Sequence, residues 1–77
     1  MNLEPIKHGH YFKPVIGLTH IDVYRVLELF NVTDPCVQHA VKKLLRAGEG
    51  HKSKRQDVEE VIAALRRWLE MMDEDAV

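Results

Sequence analysis

Gln38–Gln56 reads QHAVKKLLRAGEGHKSKRQ, and this stretch decides how the rest of the chain is read. Its first part has helical spacing, with Val37, Ala40, Val41, Leu44 and Leu45 on one face and Gln38, Lys42, Lys43 and Arg46 on the other. Gly48 is a natural stop, because glycine accepts the left-handed backbone that closes many helices. A short loop dense in Lys, Arg and His follows. Ser53, with Gln56 three residues on, then has the capping-box pattern that opens another helix. Lys54 and Arg55 fall in the first turn of that helix, where the partial positive charge of a helix N-terminus disfavours cations. Such a turn is either simply well solvated or the seat of something anionic.

Working outward, Val58, Val61, Ile62, Leu65, Trp68, Leu69 and Met72 continue the last helix at helical spacing until it frays into MDEDAV. On the other side, Asp34 followed by Pro35 reads as an N-cap and first helical residue. Asn31 tolerates the left-handed conformation and ends the preceding helix. That first helix is expected over 21–30, capped by Thr19, with only Asp22, Arg25 and Glu28 as a polar stripe. Being apolar around most of its circumference, it is expected to be central or to form a subunit interface. Pro5, Gly9, Pro14 and Gly17 break up the residues before it. No segment alternates like a strand. The expectation is an all-α fold: an irregular leader over 1–18 packing on the body, a compact three-helix domain over 19–73 and an acidic tail over 74–77.

Seventy-seven residues are enough for one small domain. A net charge of −1 argues against coating nucleic acid by bulk electrostatics, although acidic residues concentrate away from the central loop, notably Glu70, Asp73, Glu74 and Asp75, and leave that loop basic. Cys36 is the single cysteine, which excludes an internal disulfide and a cysteine zinc cage. No apolar run is long enough to cross a membrane and no signal pattern opens the chain, so a reducing cytoplasm is expected.

The candidate site follows from the same loop. Lys42, Arg46, His51, Lys52, Ser53, Lys54 and Arg55 are the residues that would gather a phosphate at the start of the last helix. His39, Lys43, His10 and Tyr11 are secondary candidates. Five histidines raise the question of a metal, with His8 and His10 at alternate positions, but their spacing fits no usual zinc pattern and no metal is expected. Asp57, Glu59, Glu60, Glu70 and Asp73 resemble magnesium-holding carboxylate clusters, yet all lie on one helix and read as ordinary exposed positions. No Walker A loop and no Ser-His-Asp order is present, so no catalytic residue and no cofactor is assigned. Cys36, in the first turn of a helix, is either a thiol with a lowered pKa or a buried structural residue. Val26–Val41 also fits a helix-turn-helix in which Gln38, His39 and Lys42 would face a major groove.

With those residues in view, the chain resembles a family of small helical proteins carried by bacteriophages and prophages. The resemblance runs through His10-Tyr11, Ile21-Asp22-Val23, Ala40-Val41-Lys42 and Leu44-Leu45-Arg46-Ala47-Gly48, then Asp57 and the apolar positions leading to Trp68. The family's central phrase is similar to N-A-I-K-Y-L-L-R-A-G-K-K, followed by a variable basic loop and D-L-x-K-A. A relative in that family is a phage nucleoside-monophosphate kinase without a Walker A loop. The resemblance implies that Lys42, Arg46 and the loop cations handle nucleotide phosphates. This chain departs from the pattern at His39, where Asn is usual, at Lys43, where an aromatic is usual, and at Glu49-Gly50, which interrupts a basic pair. It is also much shorter than that kinase.

The functional expectation is therefore a phage-type protein in the cytoplasm of a bacterial host. It would bind a nucleotide or nucleotide-derived signal, sequestering it rather than turning it over. A homo-oligomer formed through the helix over 21–30 would bring two basic loops around one ligand. Rival readings are a DNA-binding regulator, an interaction module that inhibits a host enzyme, and a nucleoside-monophosphate kinase.

Overall fold

The computed structural model describes residues 9–76. After a 3-10 turn over Gly9–Tyr11, three α-helices follow: α1 over Val23–Leu29, α2 over Pro35–Leu45 and α3 over Lys54–Asp75. Among the described residues there is no strand, and the fold is all-α.

Local chemistry sets the boundaries. Asp34 caps α2, its Oδ1 accepting the N–H groups of Cys36 at 2.8 Å and Val37 at 3.2 Å, with Pro35 at the first helical position. Ser53 caps α3 by accepting the Gln56 N–H at 3.1 Å. Asn31 has a φ of 55° and Gly48 one of 82°, the left-handed residues that close α1 and α2. The first helix differs from the expectation over 21–30. It begins two residues later, because Asp22 rather than Thr19 is its cap: the Asp22 carboxylate accepts the Arg25 N–H at 2.9 Å. The Thr19 hydroxyl is hydrogen-bonded to His20 Nδ1 instead, at 3.0 Å.

The middle element is α2, which packs along α3 on one side and touches α1 on the other. The expected central position of the first helix is thus corrected. Only Leu27 of α1 is buried, while Ile21, Tyr24 and Phe30 remain exposed. Seven residues give less than two full turns, too little to be enclosed on several sides. The core lies where Leu27, Ala40 and Val61 meet solvent least, and half-buried Val37, Val41, Ala64 and Trp68 extend it.

Tyr11, Phe12, Val15, Ile16 and Leu18 of the leader are exposed. One link from this segment to the helices is Lys13, whose Nζ lies 5.5 Å from the centre of the Phe30 ring. His8 and Pro5, part of the expected leader, and Val77 of the tail lie outside the described residues.

Candidate functional site

Reversal of the chain between α2 and α3 creates the site. The two helices run side by side, so the last turn of α2, the loop over 46–53 and the first turns of α3 come together, with the start of α1 as a further wall. Between them is a cleft of about 490 Å³ lined by Asp22, Val23, Tyr24, His39, Lys42, Lys43, Arg46, Gly50, His51, Lys52 and Asp57. A volume of that order accommodates a small organic ligand.

One wall is held by an ion-pair network centred on Asp57. Its Oδ2 accepts the Gly48 N–H at 2.9 Å and its Oδ1 lies 3.5 Å from Lys43 Nζ. Lys43 also reaches Glu60 Oε1 at 3.2 Å, and Lys52 meets the same oxygen at 2.7 Å. Each charge is favoured by its partners. The Gly48 N–H, then Lys43, hold the Asp57 carboxyl below its ordinary range. Lys52, then Lys43, do the same for Glu60, and Glu60 raises Lys43 above an ordinary lysine. The result is a clasp: a carboxylate on α3 ties down the loop that leaves α2.

This arrangement corrects the reading of Asp57 as an ordinary exposed position, since only 8% of its surface is accessible. The signal was present in the helical register. Asp57 occupies the same inward series as Val61, Ala64 and Trp68, and a carboxylate in an apolar register implies a dedicated partner. Lys43 and Lys52 line the cleft, but their charge is already matched by Asp57 and Glu60.

Two other cations of the cleft have no carboxylate partner among the described residues. Lys42 lies over Tyr24, its Nζ 5.0 Å from the ring centre and 3.4 Å from the hydroxyl oxygen. Arg46 is one helical turn further on and exposed. His39 and His51 add two imidazoles, and Asp22 is the acidic member of the opposite wall. The cleft thus combines free cations, an aromatic face and a hydrogen-bond acceptor.

Of the residues expected to gather a phosphate, Lys42, Arg46, His51 and Lys52 line the cleft together with His39 and Lys43. Ser53, Lys54 and Arg55 do not. Ser53 is occupied as the α3 cap, and Arg55 pairs with Glu59 at 2.9 Å while its side chain is 90% exposed. Lys54 is exposed outside the lining. The rings of His10 and Tyr11 meet at a tilt of 49° with centres 4.1 Å apart, and neither residue lines the cleft. Residues missed in the sequence are Asp22, Val23, Tyr24, Gly50 and Asp57, which only the packing of α1, the loop and α3 around the cleft brings to the site.

Among the described residues no group of three His, Cys, Asp or Glu side chains gathers as a metal site, and His8 lies outside them. Cys36 is a half-buried free thiol at the second position of α2. Gln38 is drawn into the fold, its Nε2 donating to the Val32 carbonyl at 2.9 Å across the turn between α1 and α2. No described helix is long and apolar enough to cross a membrane. No family model, curated protein or solved structure matches this chain.

Proposed function

We propose that the cleft binds a phosphate-bearing small molecule, a nucleotide or nucleotide-derived signal, and sequesters it. The observation that carries this reading is the division of labour among neighbouring cations. Lys43 and Lys52 are neutralised within the clasp, while Lys42 and Arg46 present unmatched charge to the same space. Arginine and lysine are suited to phosphate oxygens, the guanidinium through paired N–H donors. Tyr24, with Lys42 over its ring, offers its hydroxyl to the cleft, and Asp22 offers an acceptor for a ribose hydroxyl or an exocyclic amine.

Phosphoryl transfer also needs metal-bridged phosphates and a positioned acceptor. Asp57 and Glu60, the carboxylates of the clasp, are committed to lysines, which favours sequestration over the kinase reading. The DNA-reading alternative is weakened because Gln38, one of three residues meant to reach base edges, donates instead to the Val32 carbonyl in the turn. A protein-interaction role draws support from the exposed apolar leader, with Ile16 at 89% accessible. That this binding serves a phage-type protein in a bacterial cytoplasm is part of the proposal, and its support is the sequence resemblance alone.

The test is a thermal-shift screen against inorganic phosphate and mono-, di- and cyclic nucleotides. A ligand at a hundred times its Kd stabilises by about 2.7 kcal/mol, a readily measured shift. Arg46→Ala and Lys42→Ala, each weakening binding about tenfold, are each expected to remove about half of it at the same ligand concentration. If no nucleotide stabilises the protein, the proposal fails.

A further inference from the structure

We infer that α3 carries a self-recognition surface and pairs antiparallel with α3 of a second copy of this chain. The observation is a second apolar seam. Val58, Ile62, Leu65, Leu69 and Met72 recur in alternating steps of four and three, the heptad spacing of core positions in a coiled coil. All five are exposed, between 36 and 59% accessible. They are distinct from the inward series Asp57, Val61, Ala64, Trp68 and Met71, which is buried or half-buried. Among the described residues, this regular stripe on α3 is left exposed. A solvated helix face needs no apolar residue there.

Charge identifies the occupant and its direction. Lys54 and Arg55 begin α3, while Asp73, Glu74 and Asp75 end it, so both ends oppose the helix's own macrodipole. An antiparallel copy reverses both penalties, because its acidic end lies beside Lys54 and Arg55. The flanks of the seam agree. On one side are Val61 and Trp68, turned inward within the protomer. On the other are Glu59, Arg66 and Asp73, all exposed. Pairing of one flank with its own counterpart is what an antiparallel pair makes; a parallel pair needs both flanks.

The register follows from the charges. Stacking Ile62 on Leu65 of the second copy, and Val58 on its Leu69, places Glu59, which holds Arg55 of its own helix in the protomer, beside Arg66 of the second copy, twice by symmetry. Moving by one heptad would set Arg66 against Arg66 and Glu59 against Asp73, like against like. Arg66 has no ion pair among the described residues, whereas neighbouring Arg67 holds Glu70 and Glu74. The partnership leaves the two clefts at opposite ends of the helix pair, so each takes its ligand alone. This surface replaces α1 as the favoured site of self-association.

Sedimentation equilibrium of the full chain, without nucleotide, tests the inference. The expected mass is twice 8.9 kDa. Leu65→Glu with Leu69→Glu is expected to return the protomer mass with unchanged helical circular dichroism, the seam being outside the core. Arg66→Glu alone, and Glu59→Arg alone, are each expected to weaken dimerisation roughly tenfold, and the two together to restore it. A monomer throughout, as when the leader of the same chain covers the seam, overturns the inference. So does a dimer indifferent to the Leu65 and Leu69 changes, or a charge swap that fails to restore association.

Discussion

Gly48→Ala probes the turn on which the site depends. Gly48 has a φ of 82°, a region in which an L-residue with a Cβ costs roughly 1–2 kcal/mol. The added Cβ would also lie 3.2 Å from Lys54 Cβ and 3.5 Å from the Lys54 backbone nitrogen. That contact forces the loop or the first residue of α3 to give by a few tenths of an ångström. Against this, alanine narrows the unfolded ensemble, a gain of about 0.4–1 kcal/mol. The balance is a net loss of about 1 kcal/mol. In a domain of this size, that lowers Tm by about 4–8 °C, measured by thermal denaturation at fixed protein concentration. Ligand affinity should fall as well, since the Gly48 N–H anchors the loop to Asp57. Gly50→Ala is the control: its Cβ would meet nothing within 4 Å and its φ is not positive, so Tm should be unchanged or slightly raised. Equal or greater stability of Gly48→Ala would refute the left-handed turn and the clasp built on it.

Asp34→Ala removes the acceptor for two N–H groups of α2 and should cost about 1 kcal/mol, read from denaturant unfolding. Thr19→Ala, by contrast, should leave stability unchanged, because Thr19 caps no helix. The clasp also imposes a pH dependence with a definite sign. Asp57 and Glu60 have lowered carboxyl pKa values in the folded state, so their contribution is present above the ordinary carboxylate range near pH 4 and is lost as pH falls through the lowered values. Lys43 is raised, so its contribution is complete below the ordinary lysine value near 10 and is lost as pH rises beyond it. A stability profile across pH should therefore fall at both ends, and Asp57→Asn should flatten its acid limb.

The parts of this molecule that were legible in its sequence are those governed by near neighbours. Asp34-Pro35, Asn31, Gly48 and Ser53 act within a few residues of themselves, and each does in the fold what its chemistry dictates. Thr19 and Asp22 compete three residues apart, and the carboxylate that reaches the Arg25 N–H is the one that caps. Less was legible where two helices must first meet. Lys42 and Lys43 are adjacent and chemically alike, but a helix turns about 100° per residue. One therefore faces Tyr24 across the cleft and the other faces Asp57 and Glu60. Basic composition located the loop, while only the packing of α2 on α3 separates the cations that build the clasp from those left for a ligand. The two apolar seams of α3 form one helical run in the sequence for a similar reason: their spacings interleave, and burial alone tells them apart.

The central claim is that unmatched charge in the cleft, rather than basic charge in general, binds phosphate. Calorimetric titration of a nucleotide into the wild-type chain, Arg46→Ala and Arg55→Ala measures this most directly. Arg46 lines the cleft, whereas Arg55 lies outside it and is paired with Glu59, yet both substitutions remove one positive charge. Saturable binding by the wild type is expected, with Arg46→Ala weakening it by roughly tenfold or more, as for loss of a charged hydrogen bond, and Arg55→Ala leaving it nearly unchanged. Equal losses in the two variants, or none in Arg46→Ala, would contradict the account.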